Sequence, residues 1–199
     1  MLAAERPQRR PAADHIHPRV VVDAQTLLWV VARATGLASY AAICISILSG
    51  LALRTSVLDF LAKNRAMRSL HDFTAWIWIP LGASHVAALV LDTTARIAPQ
   101  DLIVPFRTDY GQLAIGIGTL SLDLFAIVIV SSWLRRRLND DLWRALHRAS
   151  YLAFALLFLH AFLSGTDFDS PVISSISWAA AAGLGILAVS RVLSGRLPD

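Results

Sequence analysis

Five apolar stretches run through this chain, roughly Thr26–Leu53, Leu70–Leu91, Gln112–Trp133, Leu146–Leu163 and Val172–Leu193. Each is close to the ~20 residues needed to cross a bilayer as a helix. No ten-residue alternating pattern argues for a membrane barrel. The expectation is an all-α fold: a polytopic membrane helix bundle of about five transmembrane helices, occupying residues 26–193. Composition agrees, with 56% hydrophobic residues, 16% charged residues and a mean hydropathy of +0.57. Residues 1–25 form a polar, Arg- and Pro-rich tail without the order of a signal peptide, expected to be disordered, and 194–199 form a short C-terminal tail.

The net charge of +4 and pI near 10 do not indicate nucleic-acid binding, because the bases sit in short clusters between apolar runs. Those clusters set an orientation. The first loop holds Arg54, Lys63, Arg65 and Arg68, and the third holds Arg135, Arg136, Arg137 and Arg144. The second has Arg96 and Arg107 beside Asp101 and Asp109, and the fourth, around Gly165–Ser170, has no base. Loops one and three are thus expected in the cytoplasm of a multi-pass cell-membrane protein, with the N-terminus outside and the C-terminus inside. Arg6, Arg9, Arg10 and Arg19 in the tail pull the other way. Cys44 is the only cysteine and lies within an apolar run, which excludes a disulfide framework, a CxxC pair and a cysteine-held iron–sulfur cluster.

Of six histidines, His15 and His17 lie in the polar tail and read as solvated. His71 and His85 fall in the second span, and His147 and His160 in the fourth. An ionisable side chain inside a membrane helix is costly unless paired or coordinated, so such residues point to function. Neutral imidazole ligates haem iron well, and two imidazoles on opposite faces of a porphyrin make a six-coordinate iron suited to electron transfer. Spacings of fourteen and thirteen residues separate each pair by ~20 Å along its helix, so one helix cannot supply both ligands to one iron. The second and fourth spans run parallel. His71 is therefore expected level with His147 near the cytoplasm, and His85 level with His160 near the outside.

Two b-type haems so held would make a two-step electron path across ~30 Å of hydrocarbon. The weak point is angular. At ~100° per residue, fourteen residues return to within ~40° of the same face but thirteen miss by ~140°. The fourth helix would need a bend, a bulge or haems approached from different sides; Pro80 offers a cause for bending only in the second. The plainer alternative is four hydrogen-bonded core histidines stabilising the bundle. A proton relay with Asp92 and Asp123 is another, although only Asp123 lies deep in a span.

The histidine pairs in alternate spans, with WRALHRASYLAFALLFLH followed by GTD, ARATGLASY and LIVPF, resemble the ferric reductase-like transmembrane domain family over roughly residues 28–193. The family includes the membrane parts of NADPH oxidases, the ferric reductases and the haem-binding membrane subunit of the bacterial methionine sulfoxide reductase system. The resemblance implies that His71, His85, His147 and His160 are axial ligands of two haems b. It also implies that Arg33, in ARATG, is the basic residue kept near haem propionates; the alternative for Arg33 is snorkelling to the outer interface. Arg148 reads as an inner propionate partner or part of the cytoplasmic positive cluster, the latter favoured. Tyr151, Trp76, Trp78 and Trp143 read as porphyrin neighbours or, more commonly, as packing and interface aromatics.

Oxidase members continue into flavin and nicotinamide domains, whereas this chain has no GxGxxG loop and ends six residues past Leu193. It is expected to be an electron-transfer subunit of an oxidoreductase, fed by a separate flavoprotein or a quinol and emptied by an extracytoplasmic acceptor. No residue is singled out as catalytic. The acids of the loop Asp92–Gly111 read as solvated. Gly116, Gly118 and the run Ala179–Gly185 indicate close helix contacts, in the bundle or with a partner subunit. The competing function is a non-redox membrane transporter or assembly factor that uses the histidines as polar or metal contacts; broken helices and inverted repeats that would favour it are missing.

Overall fold

The computed structural model describes residues 23–53 and 64–193. The expectations for the two tails, for His15 and His17 and for Arg54 and Lys63 lie outside the described residues. Five helices follow in order: α1 (Ala24–Ala52), α2 (Asn64–Leu91), α3 (Gln112–Trp133), α4 (Asp140–Ser164) and α5 (Pro171–Leu193). All five are long and apolar enough to cross a membrane, and no strand occurs among the described residues. The chain is a multi-pass membrane protein. Helices are the form such runs must take, because lipid offers no partner to a backbone N–H or C=O.

Three helices match the apolar stretches within two residues, but α2 and α4 begin six residues earlier than the stretches at Leu70 and Leu146. Their first turns are polar and hydropathy cannot detect them. α4 starts there because Asn139 accepts a bond from the Leu142 N–H at 2.8 Å and Asp140 and Asp141 occupy its first turn, where carboxylates favour the helix dipole.

α1 packs closely along α2, and α3 along α4, as two antiparallel hairpins, and α5 lies against α1 and α4. The core sits where these meet: Tyr40, Ile43, Ile47 and Leu51 of α1, Phe125 of α3, Phe154 and Phe158 of α4, and Leu184 of α5. Buried hydroxyls fasten the hairpins from within. Ser39 Oγ donates to the Trp78 carbonyl at 3.1 Å across α1 and α2, and Ser121 Oγ to the Ala153 carbonyl at 2.8 Å across α3 and α4.

The 92–111 connection is anchored on α3. Thr119 Oγ donates to the Asp101 carbonyl at 3.0 Å, and the Phe106 ring lies against Gly116, where a Cβ would clash. Phe106 and Arg96 take positive φ angles of 62° and 50°, and the seating of the Phe106 ring offsets the cost at that residue. Two of its acids differ from expectation. Asp92 and Asp101 are buried, and accept from the Thr94 N–H at 2.7 Å and the Ala98 N–H at 2.9 Å; loop closure uses them, and only Asp109 is exposed.

Candidate cofactor-binding site

The backbones of α2 and α4 stand apart, and imidazoles face each other across the space between them. The ring centres of His71 and His147 are 6.1 Å apart, with planes at 68°. Those of His85 and His160 are 6.4 Å apart, at 76°. Along α2 the two levels are separated by about 21 Å of helix. The histidines thus come in twos, and among the described residues no three His, Cys, Asp or Glu side chains gather as a metal site.

The thirteen-residue spacing needs no break. α4 is continuous from Asp140 to Ser164, and both of its histidines meet partners on α2. With ~140° between them they leave α4 on opposite flanks of the side that faces α2. His160 leans on α3, and His147 stacks on Trp143 of its own helix at 5.0 Å. α2 likewise runs unbroken through Pro80.

Three rings are fixed by carbonyls of a neighbouring helix. His85 Nδ1 meets the Ala32 carbonyl at 2.7 Å, His71 Nδ1 the Ser46 carbonyl at 2.7 Å, and His160 Nδ1 the Ala114 carbonyl at 2.9 Å. A carbonyl only accepts, so Nδ1 carries a proton, and in the neutral ring Nε2 then keeps its lone pair. All four histidines are half-buried.

Between the levels lies an aromatic layer. Trp78, seven residues from each α2 histidine, packs on Phe125 at 5.3 Å, and Tyr40 stacks on Phe154 at 6.0 Å. Trp76 is 78% exposed on the outer face of α2 and belongs to no level. Arg148 Nε donates to the Arg144 carbonyl at 3.2 Å on its own exposed turn, beside the basic cluster at the start of α4.

Arg33 is engaged by a residue that the reading of single positions passed over. Its guanidinium grips Asp167 through both carboxylate oxygens, with Nε to Oδ2 at 3.1 Å, and lies over Trp29 at 4.3 Å. The pair ties α1 to the α4–α5 turn one residue from the carbonyl that holds His85. The GTD following α4 was the available signal. Neither Asp92 nor Asp123 bonds to His71, His85 or His160, and Asp123 sits on the far side of α3 from Phe125.

The family model for the ferric reductase like transmembrane component matches residues 35–158, well over half the chain. The chain belongs to this family. Its members are membrane electron-transfer components that generally hold haem. The match includes His71, His85 and His147, and ends two residues before His160. No curated protein and no solved structure matches significantly.

Proposed function

We propose that this chain is a b-type cytochrome of the cell membrane that carries electrons across the bilayer through two haems, one held by His71 and His147 and the other by His85 and His160. The observation that carries this reading is the ring separation at both levels. A metal ion held between two imidazoles by bonds of about 2 Å, with about 1 Å from each nitrogen to its ring centre, would require ring centres about 6 Å apart. The observed 6.1 and 6.4 Å agree with that distance. Haem, when bound, supplies a one-electron ferric/ferrous couple.

The side chains have distinct tasks in this reading. Carbonyls of α1 and α3 keep three Nδ1 protonated, so each Nε2 lone pair is directed at the space between α2 and α4. Trp78, Phe125, Tyr40 and Phe154 exclude water between the levels. Arg33 places a cation beside the outer level, where it can balance a propionate while bound to Asp167. Electrons enter at the basic end, where α2 and α4 begin and which we place in the cytoplasm, from a separate flavoprotein or a quinol. They leave at the opposite end toward an extracytoplasmic acceptor. The paired rings and the family membership both weigh against the transporter reading.

The test is the dithionite-reduced minus oxidised spectrum of the purified protein with pyridine haemochrome quantification. Wild type should show sharp b-type bands at about two haems per chain, and His85→Ala and His147→Ala about one each. A protein that stays colourless after haem is added would refute the reading.

A further inference from the structure

The carbonyls that hold three of the rings are of a kind that helices ordinarily cover. A Cβ tilts toward the helix N-terminus, so the side chain of residue i lies over the turn before it and screens the carbonyl at i−4. Here the residue four positions after each accepting carbonyl is glycine: Gly36 after Ala32, Gly50 after Ser46 and Gly118 after Ala114. A Cβ at Gly118 would stand 2.6 Å from His160 Nδ1, one at Gly36 2.8 Å from His85 Nδ1, and one at Gly50 3.2 Å from His71 Nδ1. Gly36 and Gly50 are fourteen residues apart, as are His71 and His85, so one antiparallel register of α1 on α2 makes both contacts.

We propose that Gly36, Gly50 and Gly118 are positioning residues for the haem ligands. Each opens one helix carbonyl to one imidazole; the resulting bond fixes the ring's orientation and its Nδ1–H tautomer, and raises the basicity of Nε2. A more basic imidazole favours ferric iron and lowers the reduction potential. The inference rests on the dihaem reading. Gly82 supplies an internal contrast: the Trp78 carbonyl, four residues before it, accepts from Ser39 Oγ, which a Cβ at Gly82 would meet at 3.3 Å. The same opening there serves packing and no histidine. A Cβ at Gly183 would meet nothing within 4 Å.

The experiment uses the full chain with haem bound and compares Gly118→Ala, Gly36→Ala and Gly50→Ala with Gly82→Ala and Gly183→Ala. Haem loss to apomyoglobin and an optical redox titration are the readouts. Gly118→Ala and Gly36→Ala should speed haem loss about 10–100-fold and raise the midpoint potential of one and the same haem. Gly50→Ala should raise the midpoint of the other haem with a smaller loss; its milder contact provides the measurement if the outer variants fail to fold. Gly82→Ala and Gly183→Ala should leave both midpoints at wild-type values. Unchanged midpoints in Gly50→Ala and Gly118→Ala with both haems retained would overturn the inference alone, as would an equal shift in Gly82→Ala, which would make the glycines general helix spacers. A wild type that takes up no haem would overturn the dihaem reading and this inference with it.

Discussion

At the level that we assign to the outside, His85 and His160 both lie against glycines and donate to carbonyls of a neighbouring helix. At the inner level His71 has that arrangement, while His147 stacks on Trp143, which in turn carries the Arg135 guanidinium at 4.6 Å. Thirteen and fourteen residues beyond Gly118, at the depth of His147, α3 has Ser131 and Ser132, which both donate to the Val128 carbonyl, at 3.0 and 2.7 Å. The outer level is also closed by the Arg33–Asp167 pair and the anchored 92–111 connection, whereas Arg135 and Asp140 at the inner end are exposed. Backbone contact inside the bundle admits one ring position. The Trp143–His147 stack is made by side chains of one helix, and the exposed Arg135–Asp140 pair beside it is weak and screened. These contacts predict a more rigid outer level than inner level.

The strongest challenge to that contrast is to separate Arg33 from Asp167. Arg33→Gln and Asp167→Asn each leave a half-buried charge without its bidentate partner and should each cost about 1–3 kcal/mol, with the double variant costing less than the sum. Thermal unfolding in detergent measures the cycle; additive losses would mean that the pair does not brace the outer level. A smaller effect is expected from Trp143→Leu, which removes an aromatic contact of about 0.5–1.5 kcal/mol. It should speed haem loss from the inner level alone. If both phases of haem release accelerate together, the levels are not independently held. The smallest effect belongs to Trp76→Leu on the outer face of α2, expected within about 0.5 kcal/mol of wild type in stability and without change in either midpoint. A shift there would place an unrecognised partner on that face.

Much of the architecture is legible in the sequence. The five spans, the parallel course of α2 and α4 and the levels of their histidines follow from apolar run length, loop charge and residue spacing. Even the fourteen-residue match between Gly36–Gly50 and His71–His85 lies in the sequence, as does the GTD that contains Asp167. What could not be read was their use. The early starts of α2 and α4 depend on capping and polar turns, and the ~140° offset between His147 and His160 was resolved by rings leaving opposite flanks of an unbroken helix. Run length and the cost of an intramembrane imidazole are properties of single segments, so sequence alone determines them. Which carbonyl lies open to which ring depends on the rotation of two helices about their axes and on the distance between them, and only packing of the whole bundle sets those.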